Sequence, residues 1–145
     1  EILHPQVDDD AAVRKSNAMS CVLRISNGAR QALLVGDIEQ AQEALLVRQY
    51  GVNLLASDLL LVPHHGSKSS SGANFLDAVH PRIAVVQAGY RNRYGHPDGT
   101  VLVRYGERSS VVVDTQHCGA LTWQSWRGDV WGCQRQRDPH YWRHF

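Results

Sequence analysis

Two adjacent imidazoles, His64 and His65, follow the apolar run Leu59-Leu60-Leu61-Val62-Pro63 and precede Gly66 and Ser67. An imidazole pair can bind a divalent cation or move a proton near neutral pH, and a hydroxyl beside it can contact substrate. Asp37 closes an earlier apolar run, Ala32-Leu33-Leu34-Val35-Gly36, and His96 lies in an irregular stretch after a third, Ile83-Ala84-Val85-Val86. A carboxylate with imidazoles supplies the oxygen and nitrogen ligands that zinc or manganese prefers. Two such ions about 3.5–4 Å apart suit hydrolysis of a phosphodiester or acyl bond. One of the two adjacent imidazoles can instead donate a proton.

Each of these residues also has a plain structural reading. An aspartate between a strand and a helix caps the helix. A histidine doublet can be a hydrogen-bonded loop pair, and Gly66-Ser67 with Ser69-Ser70-Ser71 can be turn and cap chemistry. His96 before Pro97 can be a turn residue. Lys68, Arg91 and Arg93 can neutralise the phosphates of a single strand, with Tyr90 or Tyr94 as a stacking face, or can simply be solvated. His4, His80, His117, His140 and His144 carry no motif and are read as structural or surface groups.

The elements that must position these groups alternate. Ser20–Ser26 has strand periodicity, Asn27-Gly28 reads as a hairpin turn, and residues 31–36 return as a second strand. Residues 39–50 are rich in helix formers and stop at Gly51. Strand 58–62, helix 71–79 ending at His80-Pro81, strand 83–86, a loop over 88–97 and a helix near 100–105 follow. Runs at 111–113 and 120–123 complete the strands. This order predicts an α/β layer with a mixed sheet whose strand ends carry Asp37, the doublet and His96 along one edge.

Composition narrows the class. The chain has 145 residues, 43% hydrophobic and 20% charged, which suits one domain with a real core. A formal charge of +1 is too small to argue for nucleic acid by itself, whereas eight histidines are many for this length. The three cysteines, Cys21, Cys118 and Cys133, lack zinc-finger spacing; Cys118 and Cys133 can pair in an oxidising compartment or stay as thiols. No run approaches the roughly 20 apolar residues of a membrane span. The opening Glu1-Ile2-Leu3-His4-Pro5 has no signal-peptide pattern and reads as an excised start. Asp8-Asp9-Asp10 is a short acidic segment, and residues 124–145 interleave Trp126, Trp131, Tyr141, Trp142 and Phe145 with Arg127, Arg135, Arg137 and Arg143. That tail suits nucleic acid, a membrane interface or a frayed terminus.

The order of the pieces resembles the carboxyl-terminal half of the metallo-β-lactamase superfamily, and more closely the soluble domain of the ComEC family of DNA-uptake competence proteins. The marks are Asn17-Ala18-Met19-Ser20-Cys21-Val22-Leu23-Arg24, Leu34-Val35-Gly36-Asp37-Ile38-Glu39, Val62-Pro63-His64-His65-Gly66-Ser67 with Ser69-Ser70-Ser71, and Asn92-Arg93-Tyr94-Gly95-His96-Pro97. The resemblance covers roughly Ile2 to Trp123, with residues 124–145 left as the aromatic and basic tail. It implies half of an αββα sandwich, with Asp37 as a bridging metal carboxylate and His96 as the last metal histidine. His64, His65 and Ser67 become active-site residues, and Asn17 stands where many relatives have a histidine. Asn17, Lys68, Arg91, Arg93 and Tyr94 are the residues expected to contact substrate.

The superfamily's HxHxDH motif, which supplies most of its metal ligands, does not occur here. The resemblance therefore implies half of a site. The expected function is a DNA-uptake protein with a zinc- or manganese-dependent, dinuclear nuclease in the longer parent, and little metal binding or hydrolysis by this chain alone. The expected partners are single-stranded DNA, the amino-terminal half of the same domain and a channel in the bacterial inner membrane. The domain would lie outside the cytoplasm, and its uncovered apolar surface would favour self-association. A non-catalytic DNA-binding or structural module of the channel is the alternative, and a stand-alone hydrolase such as a lactonase ranks below both.

Overall fold

A computed structural model describes residues 1–6, 16–127 and 130–140. Asp8-Asp9-Asp10, Asp129, Tyr141, Trp142, Arg143, His144 and Phe145 lie outside the described residues. The main sheet has six strands in the order β1 (Ile2–His4), β2 (Val22–Ser26), β3 (Gln31–Leu34), β4 (Leu59–Leu61), β5 (Ile83–Val86) and β6 (Val111–Asp114). The first three pair antiparallel and the rest parallel, giving the mixed α/β sheet expected.

Parallel strands need crossovers, and three helices provide them: α1 (Gln40–Leu55), α2 (Ala73–Val79) and α3 (Gly99–Gly106). The strand period of two sends Leu33, Leu60 and Ala84, mutual partners in the ladder, to the helical face. There they join Leu46 and Leu55 of α1, Phe75, Leu76 and Val79 of α2, and Val101 and Tyr105 of α3 in one buried cluster. Ala32, Leu59, Ile83, Val85 and Val113 point the other way and form a second cluster with Cys118 and Cys133. That face carries the short helix α4 (Thr115–Cys118) and the antiparallel pair β7 (Leu121–Gln124) and β8 (Val130–Cys133). An apolar groove of about 420 Å³ runs beside the pair, lined by Leu34, Leu61, Val85, Leu121 and Trp123 among others.

Three local readings change. Ser26 pairs with Gln31, so the β2–β3 connection has four residues instead of a two-residue asparagine-glycine turn. The Asn27 side-chain oxygen accepts from the Ala29 and Arg30 amides at 3.0 and 2.8 Å, and this Asx turn replaces the tight hairpin. Helix α1 breaks at Gly51, whose φ of +61° is left-handed, but resumes for one further turn to Leu55. Beyond Gln124 the chain is not simply a trailing end: β8 pairs with β7, and α5 (Gln134–Arg137) follows. Cys118 and Cys133 are disulfide-bonded and buried, while Cys21 is a free, exposed thiol. Among the described residues, no helix is long and apolar enough to cross a membrane.

The disulfide closes a 15-residue separation, for which chain entropy alone is worth about 3 kcal/mol. Reduction is expected to lower the unfolding free energy by about 2–4 kcal/mol in urea titrations. A Cys118→Ser/Cys133→Ser protein should start from the lower value and be indifferent to reductant.

Candidate functional site

Because β3, β4 and β5 run parallel and in register, Leu34, Leu61 and Val85 stand at nearly one level. The chain leaves the sheet from that level three times, carrying Asp37, the histidine doublet and the loop that ends in His96. His65 Nε2 lies 3.4 Å from Asp37 Oδ1. The His64 ring centre is 6.4 Å from that of His65 and 6.2 Å from that of His96. The sequence expectation that these four residues meet is met in space.

The doublet is held in an uncommon backbone. His64 and His65 have φ of +48° and +56°, a left-handed conformation that costs non-glycine residues of order 1–3 kcal/mol each. The His64 amide donates to the Gly36 carbonyl at 3.0 Å, which ties the doublet to the turn before Asp37. Behind it, the Ser70 hydroxyl reaches the Pro63 and Ser67 carbonyls at 2.8 and 2.9 Å. Gly66 has φ of +81°, and a Cβ there would stand 2.7 Å from the Pro97 Cβ. Its carbonyl accepts from the Asp98 amide at 2.9 Å, locking the doublet loop to the His96 loop.

Hydrogen bonds assign the imidazole protons. His65 Nδ1 donates to the Gln87 carbonyl at 2.6 Å, leaving the Nε2 lone pair facing Asp37. Two lone-pair atoms facing one another need a proton or a metal ion between them, and backbone-oriented imidazoles are typical of ligating histidines. Asn17 Nδ2 lies 3.4 Å from His64 Nε2 and donates to it, which puts the His64 proton on Nδ1. Glu39 Oε1 and Ser69 Oγ each lie 3.5 Å from that Nδ1. Ser67 touches Ser69 Oγ at 3.1 Å, so it reaches His64 only through Ser69. His96 is fixed by Asn92, whose side chain accepts from its amide and donates to its carbonyl at 3.0 and 2.7 Å. Its imidazole pKa is lowered by partial desolvation and by His64 and His65, against a smaller pull from Asp98.

The remaining predicted residues lie at the rim. The Tyr94 ring stacks on His96 at 5.8 Å, and the Arg93 guanidinium lies 4.8 Å from the Tyr94 ring centre. Arg91 lies 5.2 Å from the Tyr90 ring centre, and among the described residues neither arginine has a carboxylate partner. Lys68 instead pairs with Asp98 at 3.7 Å. A cleft of about 240 Å³ opens between His65, Gln87, Asn92, Tyr94 and His96.

Glu39, Ser69 and Asn92 stand in the sequence motifs but are not among the expected site residues, and Gln87 is in none of them. The signal for Glu39 is a second carboxylate two residues beyond Asp37, at a position that reads as the start of the helix. It is Glu39, not Asp37, that occupies the N-cap of α1, with Gln42 completing the capping box. Asp37 Oδ1 and His65 Nε2, 3.4 Å apart, are two donors of the type a divalent cation takes, yet among the described residues no three His, Cys, Asp or Glu side chains gather as a metal shell. A catalytic zinc takes three protein ligands plus water, so these residues do not make a complete site by themselves.

Together these features define an α/β domain with a carboxylate–imidazole cluster at the carboxyl ends of its parallel strands. No family model matches the chain. It is 39% identical to the Competence protein ComA of Neisseria gonorrhoeae over 127 residues, 88% of this chain and 18% of that protein. The ComE operon protein 3 of Bacillus subtilis is 34% identical over 85% of the chain and 15% of its own length. Recombination protein 2 of Haemophilus influenzae is 33% identical over 83% of the chain and 14% of its own length. The chain belongs to the ComEC family of competence proteins, and it spans less than a fifth of the length of these curated relatives.

Two outcomes follow from the packing. Gly66→Ala is expected to destabilise the chain by about 1–3 kcal/mol in urea unfolding and to shift the His96 ring resonances, since the methyl meets Pro97 in a left-handed position. His64→Ala should raise the His96 titration midpoint read by NMR, because one of the neighbouring imidazoles that hold it down is gone.

Proposed function

We propose that this chain is the histidine-bearing part of an extracytoplasmic domain of a DNA-uptake competence protein in the bacterial inner membrane. In this reading, Asp37, His64, His65 and His96 form one wall of a metallo-β-lactamase-like phosphodiesterase site. The observation that carries it is the convergence of those four residues from three strand ends, with His65 and Asp37 at 3.4 Å. The names of the relatives support the competence role. The disulfide supports an oxidising compartment. The apolar groove beside β7 and β8 suits packing by the rest of the parent domain, or self-association when that part is absent.

The chemistry assigned to the chain is what its own side chains do. Arg91 and Arg93, lacking carboxylate partners among the described residues, neutralise the phosphates of a single DNA strand, and Tyr94 and Tyr90 bound it with aromatic faces. Lys68 joins them once a phosphate displaces Asp98. Asn17 and Glu39 orient His64, which moves a proton at the reacting centre once substrate displaces the Asn17 amide from its Nε2, and Ser67 acts through Ser69. Zinc or manganese, with Asp37 and His96 among its ligands, belongs to this reading only with further ligands from beyond the described residues.

Asn17 also favours a second reading, a non-catalytic DNA-binding module, because its amide occupies the His64 nitrogen that would otherwise face a ligand. One experiment separates them. In the full-length parent, Asp37→Ala, His65→Ala and His96→Ala should each cut metal-dependent hydrolysis of DNA about 100-fold or more while binding persists. The 145-residue chain alone should bind but not hydrolyse. Full hydrolysis by the His65→Ala parent would overturn the catalytic reading, and lost transformation with no hydrolysis in any form would establish the module.

A further inference from the structure

One buried carboxylate takes no part in the chemistry above. Glu43, in the first turn of α1, is 1% exposed. Its Oε1 accepts from the Ser71 amide at 2.6 Å and its Oε2 from the Gly72 amide at 2.7 Å. Ser71 is itself left-handed, with φ of +57°, and Gly72 begins α2. Arg104 on α3 donates to the Ser70 and Ser71 carbonyls at 2.9 and 2.6 Å, and the Tyr105 hydroxyl meets Ser71 Oγ at 3.1 Å. Ser70 in turn holds the Pro63 and Ser67 carbonyls on either side of the doublet.

We propose that Glu43 is a positioning residue for the histidine doublet: its ionised carboxylate clamps residues 71–72, and through Ser70 this clamp holds His64 and His65 in their left-handed turn. The inference rests on the doublet being the working element of the site, but its test reads geometry, so its failure is distinct from failure of the catalytic reading.

The clamp responds to pH. Burial pushes the Glu43 carboxyl up to about 7, held back from going higher by the two amides and by Arg104. Among the described residues, the charged or titratable groups bearing on it are Arg104 and Tyr105, both from α3, and burial keeps the Tyr105 phenol neutral. Residues 70–72 present amides, carbonyls and hydroxyls; Gln40 and Asn74, which share a cavity of about 270 Å³ with it, are neutral. Between the ordinary value of 4.5 and about 7, the folded chain binds this proton more tightly than the unfolded chain does. The contribution of Glu43 to global stability is therefore fully present at low pH and lost as pH rises through that window. The clamp moves the opposite way, because ionisation completes both acceptors for the amides. A purely structural carboxylate would move stability and local order together.

The experiment is a proton–nitrogen NMR titration of the 145-residue chain from pH 5 to 8, with urea unfolding at the same pH values. The Ser71 and Gly72 amide resonances are expected to shift downfield with a midpoint near 7, and the His64 and His65 amides to report the same midpoint, as global stability falls. In Glu43→Gln the common midpoint should vanish. If the wild-type Ser71 and Gly72 amides show no transition near 7, or if Glu43→Gln leaves the His64 and His65 backbone resonances unmoved, the proposal is overturned. Should Glu43→Gln fail to fold, the wild-type titration alone decides the matter.

Discussion

Parallel pairing of β3, β4 and β5 is the constraint from which the site follows. It fixes three strand ends at one height, and whatever the sequence places just beyond those ends must share a small volume. The pairing needs every crossover helix on the same side, which the alternation of Leu33, Leu60 and Ala84 against Leu59, Ile83 and Val85 enforces: a slip of one residue would exchange the two cores. The local strain at the doublet is tolerated because the frame beneath it is so strongly determined. Leu60, Ala84 and Leu33 are wholly buried, and the loops above them inherit that rigidity through the bonds from Gly36, Ser70 and Gly66.

Most of the frame is legible in the residues. Strand β5 coincides with the expected run because four consecutive apolar residues, all buried, admit no other placement. The expected meeting of Asp37, the doublet and His96 also follows from strand order alone. The geometry within the cluster does not. Which imidazole nitrogen carries a proton is set by the Gln87 carbonyl and the Asn17 amide, groups distant in sequence from the doublet. Glu43 looks like any polar residue on an exposed helix face, since only the packing of α2 across α1 buries it. The disulfide stays open in the sequence because spacing does not determine pairing. Strand β8 is missed because Val130 and Trp131 are followed at once by Gly132, and the pairing of Trp131 with Trp123 is a tertiary fact.

The two faces of the sheet have different characters. The helical face is closed by three helices and carries the larger cluster. The opposite face is covered by a small hairpin and a short helix, held by one covalent bond, with an apolar groove beside them. Most of the buried apolar side chains thus lie on the helical face, and the opposite face is the less covered one.

The contact between Gly66 and Pro97 joins loops thirty-one residues apart into a single body. Position 66 cannot gain a side chain unless position 97 retreats, and His64, His65 and His96 are carried by the two loops this contact joins. Arg91 and Arg93 are not bound in this way: they lie over Tyr90 and Tyr94, and no carboxylate among the described residues holds them. The histidine cluster and these two arginines are therefore constrained differently. A side chain at position 66 requires a change at position 97, whereas Arg91 or Arg93 can be replaced without touching that contact, and Asn92 and Tyr94 stay tied to His96.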